Sequence, residues 1–317
     1  PFPRLWTHGR LAWEMLTRPP DLLFVPAHVL PIVHPKRTVV TVHDLADFLF
    51  PTDDGFRRSL RLYLARRGLT RAARILAVSR ATRLDLAEFF RLPGKKIEVV
   101  YNAIDERFCR PCRYEEKKLV LERYGVVYPF ALYAGNVKRQ KNLARLIEAF
   151  AVLKGELRQH PVYADLKLIL IGDELSKHAD LRRTVIKTRI QQDVRFLGFV
   201  PIDVLRVFYS SAEVFVFPSL YEGFGLPPLE AMAQGTPVIV SNVSSLPEVV
   251  GNAAVMVHPD NIFDIARGIK RVLLDADTRD LLRQRGLEQV KKFSWDRSVE
   301  RVLSIYGETA GAVAAAA

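Results

Sequence analysis

Strand-length runs that are almost wholly apolar, separated by helical stretches, constrain this chain more than any other feature. In the first half they fall at 22–26, 38–42, 75–78 and 97–101, with helical patterns at 56–73 and 80–90 between them. In the second half they fall at 130–134, 167–172, 194–197, 214–217, 237–240 and 254–257. A strand that shows no polar alternation must be covered on both faces, and helices between such strands imply parallel sheets. Two successive series of this kind predict an α/β chain of two doubly wound, Rossmann-like domains facing a cleft. Ligands are then expected at the carboxyl ends of the strands. At 317 residues the chain is long enough for two cores of ordinary size. The predicted domains are 1–118 and 119–292. A closing segment, 293–317, ends in an Ala-rich tail.

The stretch 214–240, VFVFPSLYEGFGLPPLEAMAQGTPVIV, says most about chemistry. A buried strand ends at Pro218 and a loop follows with Gly223 and Gly225. Pro227 or Pro228 opens a helix that Gly235 can cap. Glycines let the backbone approach a ligand, and N–H groups at a helix start favour an anion such as a diphosphate. Glu222 in the loop and Glu230 in the helix are eight positions apart, so they can touch different parts of one ligand. Carboxylates accept hydrogen bonds from sugar and ribose diols. A plain βαβ turn with two surface carboxylates would have the same spacing.

The whole phrase from Glu222 through Gly223, Phe224, Gly225, Leu226, Pro227, Pro228 and Leu229 to Glu230 resembles the E-x7-E motif of the family-4 glycosyltransferases. The flanking Pro-Ser-Leu-Tyr and Gly-Thr-Pro-Val-Ile fit as well. Tyr133-Ala134-Gly135-Asn136-Val137-Lys138-Arg139-Gln140-Lys141-Asn142 resembles the first strand and basic loop of the family's donor domain. Leu170-Ile171-Gly172-Asp173 and Val194-Arg195-Phe196-Leu197-Gly198 resemble the strand ends that frame the nucleoside. Val40-Thr41-Val42-His43-Asp44, Ala77-Val78-Ser79 and Val100-Tyr101-Asn102-Ala103-Ile104-Asp105 resemble the acceptor-side landmarks. Phe293-Ser294-Trp295 resembles the element that crosses back to the first domain.

The resemblance implies a retaining glycosyltransferase of the two-Rossmann-domain, GT-B type. It would move a mannose- or glucose-type hexose from a nucleoside-diphosphate sugar, GDP-mannose or UDP-glucose, to a glycan or lipid-linked acceptor. The implied catalytic residues are His43, Glu222 and Lys141. The implied donor site is Asn136, Lys138, Arg139, Lys141, Gly172, Phe196, Glu222, Gly223, Phe224, Gly225, Leu226 and Glu230. Lys141 would contact the diphosphate, Glu222 the sugar and Glu230 the ribose, with Asp44 and Asn102 on the acceptor side. Many relatives place an Arg where this chain has Asn136. Relatives also begin with a strand and a glycine-rich loop, whereas here a helix-like stretch opens the chain at 3–17, so a shortened start is expected, with nucleotide recognition kept and transfer impaired. Two rival readings stand beside this one: a homologue that binds nucleotide or glycan without turnover, and another GT-B enzyme such as a sugar-nucleotide epimerase or a phosphorylase.

No metal or other cofactor is expected. Cys109 and Cys112 form one pair where zinc needs about four ligands, so they read as incidental, in keeping with a reducing cytoplasm. Asp275-Ala276-Asp277 follows a helical stretch and reads as a solvated helix terminus. The net charge is +12, and residues 1–127 hold 23 Lys and Arg against 14 Asp and Glu. That imbalance fits an anionic partner (membrane headgroups at the inner face of the membrane, phosphorylated lipid or nucleic acid) or simply an Arg-rich enzyme. The basic amphipathic stretch 57–74 is where lipid contact is expected if it is not just a surface helix. No nucleic-acid-binding module is recognisable, and no apolar run reaches bilayer-spanning length.

Overall fold

The computed structural model describes residues 6–27, 29–51, 55–172 and 178–311. Asp173, the start of the 3–17 stretch and the Ala-rich tail lie outside the described residues. By internal contacts the chain divides into two units, residues 1–103 with 294–317, and Ile104–Phe293. The family's two-Rossmann-domain α/β architecture is present, with one parallel sheet in each unit.

In the first unit, β1 (Leu23–Val25), β2 (Thr38–Val42), β3 (Arg74–Ala77) and β4 (Ile97–Val99) lie side by side in sequence order, all parallel. Such pairing demands a crossover each time; helices Gly55–Arg71 and Arg80–Phe89 make two of them. Ser79 caps the second, its hydroxyl accepting from the Thr82 N–H at 3.0 Å. The last helix, Trp295–Gly311, packs on this sheet, with Ile305 buried against Val39 and Leu76. Ser298 donates to the Tyr101 carbonyl at 2.6 Å, and Arg301 pairs with Glu98 at 3.0 Å.

The second unit holds β5 (Phe130–Gly135), β6 (Lys167–Gly172), β7 (Val194–Gly198), β8 (Val214–Phe217), β9 (Val238–Ser241) and β10 (Ala254–Val257). Their order across the sheet is β10-β9-β8-β5-β6-β7, all parallel. The chain therefore winds outward from β5 in one direction and then, from β8, in the other. The seam between β5 and β8 is the topological switch point, where the diverging loops leave a crevice. Every residue of β8 and β9 is buried, as continuous apolar runs require. Helix Leu143–Leu157 turns Leu146, Ile147, Phe150 and Leu153 to the core at helical spacing.

The division between the units falls at Ala103/Ile104, earlier than the 118/119 expected from the polar composition of the linker. Phe108 packs edge-on against Tyr209, Arg206 pairs with Glu116, and Lys117 donates to the Ser210 carbonyl at 3.0 Å. These contacts fasten the linker to helix Ile202–Ser211 of the second unit. Composition alone does not show where a polar segment docks.

Candidate active site

Two loops leave the switch point, one after β5 and one after β8. Lys141 comes from the first and Glu222 from the second; Nζ and Oε1 meet at 2.6 Å, with the side chains 15% and 12% exposed. The Lys141 ammonium also sits 5.2 Å from the centre of the Phe217 ring, which stacks on Tyr133. An ammonium against an aromatic face and a carboxylate is held in place rather than left to sample solvent.

The loops themselves are fixed by buried polar groups. Asn142, in the left-handed region at φ 61°, donates from Nδ2 to the Pro218 carbonyl at 3.0 Å and the Pro259 carbonyl at 2.7 Å. The Leu220 N–H donates to the Gln140 carbonyl at 2.7 Å. Ser245 donates to the carbonyls of Glu222 and Phe224 at 3.0 and 2.7 Å, while the Glu222 N–H donates to the Ser244 hydroxyl at 3.2 Å. Neither Asn142 nor these serines were assigned a role from the sequence. Asn142 stands in the quoted phrase, but nothing about its neighbours in sequence shows that it ties three loops together.

At the carboxyl ends of β5 and β6 lies a cavity of about 310 Å³, lined by Gly135, Asn136, Gly172, Tyr209 and Glu230 with apolar Ile171, Phe199, Val200, Leu205 and Pro227. Two of its glycines are obligatory. At Gly172, φ is 147° and a Cβ would lie 1.9 Å from the Gly135 oxygen. At Gly135, φ is 151° and a Cβ would meet the Tyr133 hydroxyl at 2.9 Å. Any side chain at these paired strand ends would also fill the space a ligand could occupy. Phe196, expected here, lies within β7; the structure brings the next loop instead, with Phe199 86% exposed. The chain continues past Gly198 before it reaches the cavity, so Phe199 and Val200 line it.

Glu230 is on helix Leu226–Ala233 and accepts a hydrogen bond from the buried Tyr209 hydroxyl at 2.9 Å. Burial pushes the Glu230 carboxyl up to about 7, against the smaller opposing effect of that hydrogen bond. Burial, then the neighbouring Glu230 charge, push the Tyr209 phenol well above its ordinary range. Gly225, at φ 113°, precedes the helix, and its missing Cβ leaves room for Leu246. Because Pro227 and Pro228 lack N–H groups, the amides of this helix start come from the loop Gly223, Phe224, Gly225 and Leu226. Lys138 and Arg139, in the loop after β5, are exposed, with no acidic partner among the described residues.

In the first unit, His43 follows β2 and is exposed; its Nε2 lies 2.9 Å from the Pro26 carbonyl. A carbonyl only accepts, so Nε2 is the donor in this contact. Asp44 accepts from the Ala46 N–H at 2.8 Å, and Asn102 is half-buried after β4. Asp275 caps the helix Ala276–Val290 through the Thr278 N–H at 3.0 Å. Among the described residues no group of three or more His, Cys, Asp or Glu could hold a metal ion. None of their helices is long and apolar enough to cross a membrane.

Residues 126–289 match the family described as Glycosyl transferases group 1, and residues 1–108 match Glycosyltransferase Family 4. The chain belongs to the family-4 glycosyltransferases. This glycosyltransferase is 33% identical to the O-antigen chain mannosyltransferase B of Escherichia coli over 96% of its own length and 78% of that protein. It is 32% identical to the serotype-specific mannosyltransferase WbdA of Escherichia coli over 87% of its own length, which is 34% of that longer protein. Among solved structures it resembles sucrose-phosphate synthase from Thermosynechococcus elongatus, with a TM-score of 0.71 and 25% identity. That match covers 87% of this chain and 68% of the other.

Proposed function

We propose that the enzyme transfers a hexose, of mannose or glucose type, from a nucleoside-diphosphate sugar to a glycan or lipid-linked acceptor, with retention at the anomeric carbon. The observation that carries this reading is the Lys141–Glu222 pair across the switch point, with a cavity at the ends of β5 and β6 that has Glu230 in its wall. The two charges neutralise each other at 2.6 Å. With donor bound, Lys141 turns to the diphosphate and Glu222 to hydroxyls of the sugar. Glu230 accepts from the ribose, and the cavity takes the base.

Charge accumulates on the departing phosphate as the glycosidic bond breaks. Lys141 and the amides of Gly225 and Leu226 stabilise it, with Lys138 and Arg139 in the role that an Arg fills where Asn136 stands. No side chain is assigned as a covalent nucleophile and no metal takes part. His43, Asp44 and Asn102 serve the acceptor side. The two mannosyltransferase relatives favour mannose and a growing polysaccharide chain, and an anionic membrane at the cytoplasmic face is the second partner of this reading.

The test is release of nucleoside diphosphate from GDP-mannose and from UDP-glucose, with and without a mannan acceptor, and the anomeric configuration of the product by NMR. Acceptor-dependent release with an axial product supports the reading. An inverted product ends the claim of retention, and a requirement for inorganic phosphate would make the enzyme a phosphorylase.

A further inference from the structure

Helix Ile202–Ser211 and helix Leu226–Ala233 bring Tyr209 and Glu230 together in the wall of the second unit's cavity. The Tyr209 hydroxyl donates to Glu230 Oε2 at 2.9 Å, and Oε1 has no hydrogen-bond partner among the described residues. Both ends of this contact are braced. The Tyr209 ring lies edge-on to Phe215 of β8 at 5.3 Å and to Phe108 of the linker at 5.8 Å. Its backbone carbonyl accepts from the hydroxyl of Thr236, which stands just beyond the helix of Glu230. Gln234, one turn after Glu230, donates from Nε2 to the carbonyls of Phe108 and Arg110, the second at 3.0 Å. The linker thus touches both the helix that carries the phenol and the segment that carries the carboxylate.

Packing alone does not require this phenol. A Phe at 209 would fill the same space between Phe108 and Phe215 with no polar atom to satisfy. Instead a fully buried hydroxyl faces a carboxyl that burial pushes up to about 7, and the Asp105 carboxylate of the linker adds a smaller push the same way. The hydrogen bond from Tyr209 opposes both, because it favours the ionised form. A carboxylate has two oxygens and accepts on each. With Oε2 held by the phenol, the carboxylate cannot turn freely, and Oε1 is the oxygen left to accept from a ligand in the cavity. Such a group is oriented before the ligand arrives.

We propose that Tyr209 is a positioning residue for the donor: its hydroxyl fixes Glu230 through Oε2, so that Oε1 meets the ribose hydroxyls of the nucleoside diphosphate. The inference rests on the reading of Glu230 as the ribose contact and deepens it. Recognition of the ribose then belongs to a pair on two helices, with the linker as its brace. Tyr209 acts through Glu230 and touches no reacting atom.

Calorimetry with GDP and UDP and with their 2′,3′-dideoxy counterparts tests it, since the dideoxy compounds keep base and diphosphate but cannot donate to Glu230. The wild-type chain should prefer the ribose form, with affinity for it rising as pH passes through about 7. Tyr209→Phe should weaken binding of the ribose form about tenfold and leave the dideoxy form bound as in the wild type. It should also move the pH midpoint upward, because the hydrogen bond that favours the carboxylate is gone. Glu230→Ala should abolish the preference, and Tyr209→Phe added to it should change nothing further. Dideoxy affinity at the wild-type level reports that each variant has folded. Equal weakening of both nucleotides by Tyr209→Phe would overturn the proposal and make the tyrosine a packing residue. So would an unchanged preference in Tyr209→Phe while Glu230→Ala abolishes it, an outcome that leaves the ribose contact standing. A preference that survives Glu230→Ala would take away the ribose contact, and the positioning role with it.

Discussion

The two parallel sheets are built from the same local grammar, yet only one comes with a finished site. In the second unit the interior strands are buried throughout and the loops at the switch point are tied by Asn142, Ser244 and Ser245. Several of its least exposed cations are paired: Lys141 with Glu222, Lys154 and Lys167 with Asp193, Arg206 with Glu116. In the first unit the outer strands β1 and β4 are three residues each and partly exposed, and Arg66, Arg67 and Arg71 of the long helix have no acidic partner among the described residues. A preorganised half that needs little rearrangement suits recognition of a small, invariant ligand. A half with exposed cations suits a larger partner that brings its own order.

The comparison can be broken first at the glycines. Gly172→Ala should cost about 4 kcal/mol or prevent folding, because its Cβ would overlap the Gly135 oxygen. Gly94→Ala, in the first unit, meets only the Arg83 side chain at 3.8 Å and should be close to neutral. Denaturant unfolding of both variants checks this; equal effects would mean that the second unit is not the more tightly determined one. Next in size is Lys141→Ala, expected to lower kcat/KM by roughly a hundredfold to a thousandfold. Steady-state kinetics at wild-type level would remove Lys141 from the site.

The pH response sharpens the contrast. With the folded Glu230 carboxyl raised to about 7, the native state holds a proton that the unfolded chain has released above its ordinary value of 4.5. Stability from this group is therefore fully present below about pH 4.5 and lost as pH rises through about 7, a swing on the order of 3 kcal/mol. Nucleotide affinity should run the other way, rising through the same window as the ionised carboxylate becomes available to the ribose. Glu230→Gln should flatten both profiles in thermal unfolding and calorimetry; unchanged slopes would place the titrating group elsewhere. The smallest effect belongs to the first unit: Ile305→Val should cost about 1 kcal/mol by trimming a contact with Val39 and Leu76. Chemical denaturation would read it, and a loss above about 3 kcal/mol would show a core less forgiving than its open strands suggest.

Much of the fold was legible because each strand is a short apolar run bounded by turn residues, as in 130–134 and 214–217. Strand order was not, since the swing from β7 back to β8 beside β5 depends on which sheet edge each helix can cover. At the site, Lys141 and Glu222 were singled out by the phrases around them, and the structure brings them together. Tyr209 was invisible: it sits in an ordinary amphipathic helix, and only the packing turns its hydroxyl toward Glu230. Phe199 was missed for the opposite reason, standing beyond a strand whose end looked like the natural place for a ligand contact. Where the polar stretch 106–118 docks was not legible, because part of it is held through backbone carbonyls, as Phe108 and Arg110 are by Gln234.

The return of the last helix to the first sheet has a consequence for how the protein is made. Ile305 completes a core whose other members were synthesised near the beginning of the chain. Roughly 190 residues, the whole second unit, intervene. At about 5–20 residues per second a ribosome needs on the order of ten to forty seconds to cross them. During that time the nascent first sheet has Val39 and Leu76 without their cover, while the second unit can close on its own. The half that emerges first is thus the half that finishes last, and it is the one a chaperone would have to shield.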